Sequence, residues 1–277
     1  MRNGLVYNNI VLVVLALLLS ACASNASKVK KQQVDLYAGA GTQSLVNGDY
    51  TDALTNLEKA NKLEPDNSAI VTNLGMAYYF KGERDLAVRT LKRALELNED
   101  NSDARVNLAS IYYNDGNYAE SEKIYRQVLR DLTYDKQART LYNLGVLAVH
   151  KKNSAEAENY FNKSVKEDDS YCPAYFQLGL INYGRKQYSK SYKNFKESTM
   201  GTCFNSPAGH FYQALSLTKL RRYTDARLKY DEIDAKFKKT EYAEKARVKM
   251  LELNEIEKNI PAEESHASRK VLESPEF

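Results

Sequence analysis

The chain has 277 residues, of which 27% are charged, and its 40 lysines and arginines nearly balance its 36 aspartates and glutamates for a formal net charge of +4. Charge spread this evenly, without a long Lys/Arg block or basic stripe, gives no footprint for nucleic acid and is what exposed helix faces carry. With 21 tyrosines and no tryptophan, aromatic packing rests largely on phenols, which suit half-buried positions where the ring packs and the hydroxyl stays wet.

The first element is the apolar run Ile10 to Leu19, which follows a short polar start containing Arg2. It is too short to span a bilayer, which takes roughly 20 apolar residues, and it reads as a secretory signal peptide over residues 1–21. The residues that follow, Leu19-Ser20-Ala21-Cys22, resemble the lipobox of bacterial lipoproteins. That resemblance implies cleavage before Cys22 and a lipid on Cys22 that joins the chain to a membrane. Ala23 stands where the inner-membrane retention signal of such lipoproteins has Asp, so the resemblance implies the outer membrane, facing the periplasm. Residues 22–33, rich in Ser, Asn and Lys, read as a tether.

From there the chain repeats itself. Asn73-Leu74-Gly75 recurs as Asn107-Leu108-Ala109 and as Asn143-Leu144-Gly145, and Leu178-Gly179 continues the series. Units begin near Val34, Ser68, Ser102, Ala138, Cys172 and Pro207, about 34 residues apart,. Each unit holds two helical patterns around a tight turn, such as Gly48-Asp49-Tyr50, Gly82-Glu83 and Gly116-Asn117-Tyr118, where glycine can take the left-handed conformation that ends a helix. Polar links such as Glu64-Pro65-Asp66-Asn67-Ser68 supply helix stops and caps,. Small residues at Gly41, Gly75, Ala109, Gly145, Gly179 and Ala214 let the two helices approach, and Leu57, Leu91, Tyr125, Phe161, Phe195 and Tyr230 fill the space between successive hairpins. Glu241 to Lys258 is a further amphipathic helix, the cap that a repeat array needs over its last apolar face,. Residues 259–277 turn polar and read as a disordered tail,.

Leu74, Gly75 and Tyr78, with Ala157, Phe161 and Pro65, resemble the tetratricopeptide (TPR) signature,. The resemblance implies an all-α fold over residues 34–240, a right-handed TPR solenoid of six helix-turn-helix repeats with the capping helix behind it.

The site residues follow from that geometry. In a TPR superhelix the first helix of each unit lines the concave face. Asn73, Asn107 and Asn143 share one position there, and a ladder of amides can read a peptide backbone without reading its sequence,; the alternative is that they cap loops or face water. Beside them Met76, Tyr79, Phe80, Tyr113, Tyr142, Val146, Phe176, Tyr183 and Phe211 project to the same side, giving an apolar groove suited to an amphipathic helix of a protein partner, or else part of the inter-helix core,. With Cys22 assigned to the anchor, Cys172 and Cys203 form an even pair in an oxidising compartment,. They form either a disulfide on one edge of adjacent repeats or two separate thiols. The three histidines are scattered, and no phosphate loop, paired-cysteine metal spacing or serine nucleophile elbow is present,. The reading is therefore of protein binding, with no catalytic residues, metal, cofactor, nucleic acid or small-molecule substrate.

A signal with lipobox, six TPR units in succession and one capping helix are together similar to the type IV pilus pilotins, the PilF/PilW/Tgl family. That similarity implies a protein that binds subunits of the outer-membrane secretin and promotes their insertion and multimerisation for pilus biogenesis. The Cys172/Cys203 pair and the polar tail depart from that family's usual pattern. The alternative is a TPR scaffold for periplasmic cell-envelope enzymes or for outer-membrane protein assembly.

Overall fold

The computed structural model describes residues 27–259. Cys22, the signal residues 1–21 and the tail residues 260–277 lie outside them. Among the described residues the secondary structure is entirely helical, apart from turns. Helix α1 covers residues 27–47, so the stretch read as a tether is already helical from residue 27. It pairs with α2 (Tyr50–Leu63), followed by the hairpins α3 (Ser68–Phe80) with α4 (Arg84–Leu97) and α5 (Ser102–Asn114) with α6 (Tyr118–Val128). The second series is α7 (Gln137–His150) with α8 (Ser154–Glu167), α9 (Cys172–Gly184) with α10 (Tyr188–Glu197), and α11 (Pro207–Lys219) with α12 (Tyr223–Lys236), ending in α13 (Glu241–Lys258). The chain divides at Asp131 into two compact units, three hairpins in the first and three with α13 in the second.

Within a hairpin, one contact sets the distance between the helices. A Cβ added at Gly75 would lie 2.9 Å from Cγ of Leu91, one at Gly145 would lie 2.5 Å from the Phe161 ring, and one at Gly179 would lie 2.6 Å from the Phe195 ring. Leu91, Phe161 and Phe195 are fully buried, so each fills the space its glycine leaves empty, and the bulky residue packs first within its own hairpin. It also reaches the next: Leu57 clusters with Ala53 and with Leu74 and Ala77 of the following hairpin. Where the bulky residue is tyrosine, its hydroxyl finds a partner. The Tyr125 hydroxyl sits 2.8 Å from Ser110 Oγ and that of Tyr230 sits 3.3 Å from Thr218 Oγ1, and burial pushes the Tyr230 phenol up to about 12.

All six intrahairpin turns share one hydrogen-bond pattern, in which the residue after the turn's left-handed position donates back five residues: Asp49 to Ser44, Glu83 to Tyr78, Asn117 to Tyr112, Asn153 to Ala148, Gln187 to Asn182 and Arg222 to Leu217. This six-to-one closure defines a Schellman cap. The left-handed residue is Gly48, Gly82 or Gly116 in the first unit, but Lys152, Lys186 or Arg221, each with φ of 59°, in the second. A side chain there costs roughly 1–3 kcal/mol.

Between hairpins, Asn67 and Asn101 cap α3 and α5 by accepting from backbone N–H groups of the first turn,. The link from α10 to α11 is longer and is fastened three ways. A disulfide joins Cys172, the first residue of α9, to Cys203 in the short 3-10 turn Gly201–Cys203, with Cα atoms 6.2 Å apart. Closing a loop of this length contributes on the order of 3–4 kcal/mol in the chain-entropy view. Thr199 packs where a Cβ on Gly209 would lie 2.7 Å from its Cγ2. The His210 Nε2–H donates to the Phe204 carbonyl at 2.8 Å.

His210 is 2% exposed, and its Nδ1 has no hydrogen-bond partner among the described residues, with a Glu232 carboxylate oxygen 4.0 Å away. Burial holds its imidazole below the ordinary range, and the Phe204 bond offsets this only in part,. The unfolded chain therefore takes up the proton first, so the stabilisation is fully present above about pH 6.5 and is lost as the pH falls below it. Urea midpoints measured across that interval should fall for the parent, and the fall should be shallower for His210→Gln. Gly145→Ala forces a methyl into the Phe161 ring and should cost about 1–3 kcal/mol in the same assay, whereas alanine at the exposed Gly184, which meets nothing, should be nearly neutral.

Candidate protein-binding faces

The first helices of successive hairpins lie side by side in the first unit, and two amide bridges tie them together. Asn73 Nδ2 donates to Thr42 Oγ1 at 3.0 Å, from α3 to α1, and Asn114 Nδ2 donates to the Tyr79 hydroxyl at 2.7 Å, from α5 to α3. Both bonds are exposed to solvent. Asn107, in register with Asn73, is 7% exposed. The amide ladder read from the sequence is thus not a uniform row: Asn73 is engaged with its neighbour, Asn107 is buried, and Asn143 of the second unit is half-buried on α7.

What the first unit does expose is aromatic. Phe80 is 44% exposed and stacks on Tyr50 with ring centroids 4.7 Å apart. Tyr79 meets the same Phe80 ring edge-on at 5.5 Å. Tyr113 packs edge-on against Tyr118 at 5.5 Å, and Met76 is half-buried. Lys81 Nζ donates to Thr51 Oγ1, and these two residues follow Phe80 and Tyr50 in sequence, so polar side chains flank the stacked rings.

In the second unit the predicted residues separate into core and surface. Phe211 is 6% exposed and packs on Tyr230 and Tyr242, so it belongs to the core rather than to a groove. Tyr142 and Val146 pack on the cluster around Phe161, with Tyr142 also edge-on to Tyr171 at 5.6 Å. The half-buried row is Phe176, Tyr212, Tyr183 and Tyr188. Phe176 contacts Tyr212 at 5.8 Å, Tyr212 stacks on Phe195 at 5.3 Å, and Tyr183 meets Tyr212 at 6.3 Å and Tyr188 at 5.4 Å. Burial raises the Tyr183 phenol above its ordinary value. Tyr212 was missed in the sequence although the register held it: it stands two residues before the small Ala214, as Asn73 stands two before Gly75.

Such faces offer rings, hydroxyls and amides, which suit the apolar side of a partner helix. Among the described residues no group of three or more His, Cys, Asp or Glu side chains is placed to hold a metal ion. None of the described helices is long and apolar enough to cross a membrane.

Three family models match the chain: tetratricopeptide repeat over residues 45–94, TPR repeat over 75–116 and tetratricopeptide repeat over 100–167. The fold these hairpins define is thus that of a tetratricopeptide-repeat protein. Its structural neighbours include the Pseudomonas aeruginosa pilF structure, with a TM-score of 0.65 and 17% identity over 79% of this chain and 99% of that one. A second is PilW, described as a widely conserved type IV pilus biogenesis factor, with a TM-score of 0.62 and 19% identity over 76% and 97%. The Cut9–Hcn1 hetero-tetramer of the APC/C gives a TM-score of 0.64 and 17% identity, over 77% of this chain and 42% of that one. Among curated proteins, human neutrophil cytosol factor 2 is 31% identical over 87 residues, which is 31% of this chain and 16% of that protein's length.

Proposed function

We propose that this protein is an outer-membrane lipoprotein, anchored through Cys22 and facing the periplasm, that binds secretin subunits and promotes their insertion and multimerisation for type IV pilus biogenesis. The observation that carries the reading is the layout. Six hairpins and one closing helix follow a cysteine whose preceding residues resemble a lipobox, and the extent of the hairpin array is similar to that of the pilF structure, 99% of which the match covers. A pilotin needs a surface that holds a segment of a subunit while it is still unassembled. The exposed Phe80 with the half-buried Tyr79 on the first unit and the Tyr183–Tyr212 row on the second are such surfaces, each able to take an apolar helix face while its hydroxyls satisfy the polar rim,.

Deleting the gene should abolish secretin multimers and surface pili while leaving cell shape intact, and a photo-cross-linker at Phe80 should capture secretin in cells whereas one at the exposed Leu228 of α12 should not. Normal multimers with misshapen cells would sink the reading.

A further inference from the structure

The turns of the second unit carry cations that the fold does not require. Lys152, Lys186 and Arg221 occupy the left-handed position that Gly48, Gly82 and Gly116 fill in the first unit, with the same hydrogen bonds around it. Each is exposed and has a second cation next to it, giving Lys151-Lys152, Arg185-Lys186 and Arg221-Arg222. The corresponding turns of the first unit are mixed in sign, with Asp49, Glu83 and Asp115 among them. A glycine would serve the turn with less strain, so these side chains point to a use outside packing.

The neighbouring contacts join these tips into one edge. Arg185 bonds Glu158 at the start of α8, 2.6 Å away in the preceding hairpin, and Arg222 lies 5.5 Å from the Tyr192 ring of α10 while bonding Asp225. The carboxylates Glu158 and Asp225, in the first turns of the second helices, therefore hold Arg185 and Arg222, while Lys152 and Lys186 make no ion pair among the described residues. Alongside run the exposed lysines Lys190, Lys193 and Lys196 of α10. Val149, 47% exposed, precedes the first tip, and the Tyr183–Tyr188 pair brackets the second.

We propose that this edge docks on an anionic phospholipid surface. Turn tips are the outermost points of a row of hairpins, so a flat sheet of headgroup phosphates meets all three at once, and no groove is needed. An acidic peptide would need a walled groove, and exposed turn residues supply none. Cations flanked by phenols and an aliphatic side chain match the headgroup region, where tyrosine is enriched and each lysine or arginine adds attraction that salt screens.

The proposal does not rest on the secretin reading, and its test uses the full chain carrying Cys22→Ser, so that no acyl chain contributes. Co-sedimentation with vesicles of phosphatidylcholine containing phosphatidylglycerol should show binding that weakens as NaCl is raised, with none to phosphatidylcholine alone. The triple variant Lys152→Gly, Lys186→Gly, Arg221→Gly should bind on the order of 100-fold more weakly while its thermal midpoint stays at or above the parent's. The matching asparagine triple variant, which also tolerates the left-handed turn, reads the same loss if the glycine variant fails to fold. Binding by a folded triple variant equal to the parent's, equal binding to uncharged vesicles, or binding to polyglutamate in place of vesicles would overturn the proposal.

Discussion

The rest of the molecule depends on the place in each hairpin where one helix has a glycine or alanine and the other a large side chain. Gly75 under Leu91, Gly145 under Phe161 and Gly179 under Phe195 bring two helices to a separation that no pair of ordinary side chains would permit. Each hairpin that closes this way still has an apolar flank, because the same bulky residue also touches the next first helix, as Leu57 does with Leu74 and Ala77. A hairpin that cannot bury its own surface must stack, and α13 closes the last one with Ala246 and Leu253 buried against Ile233 and Tyr230.

That contact explains why the fold was so legible in the sequence and the binding faces less so. A small and a bulky residue recur at fixed spacing because local helix geometry demands it, so hairpins, turns and the closing helix could be placed from the repeat register. Which neighbouring residues face out is decided by rotations of about 100° per residue, and there the sequence reading slipped. Phe211 turned into the core while the adjacent Tyr212 took the half-buried position. Asn73 and Asn107 are identical in type and register yet differ in setting. Thr42, the acceptor beside Asn73, has Met76 as its counterpart one repeat later, and the later amide is buried. The cationic turns escaped notice for a different reason. No linear stretch is strongly basic, and Lys152, Lys186 and Arg221 form a row only once the repeats between them are folded away.

Fold and partner are separate questions here. The pilF structure and the Cut9–Hcn1 hetero-tetramer of the APC/C resemble this chain about equally in backbone, with TM-scores of 0.65 and 0.64. A TPR backbone therefore specifies a way of presenting residues, and the partner is chosen by what the faces present. In this chain those are stacked aromatics at Tyr50 and Phe80, a row of phenols on α9 to α11, and the amides of Asn73 and Asn114, which donate to neighbouring hydroxyls and can exchange those bonds for a ligand's.

The Cys172–Cys203 bond also changes how tension travels through the chain. Its two ends bracket α9, α10 and their turn, a separation of 31 residues. A pull applied to the two ends of the polypeptide passes from Cys172 to Cys203 through sulfur and bypasses the whole fifth hairpin, which therefore carries no load along its backbone. Other hairpins can be drawn out to their full contour length, whereas this one is a closed covalent loop that can lose its packing but cannot be extended, and it stays available as a template on which α11 and its successors can re-dock once the pull is released.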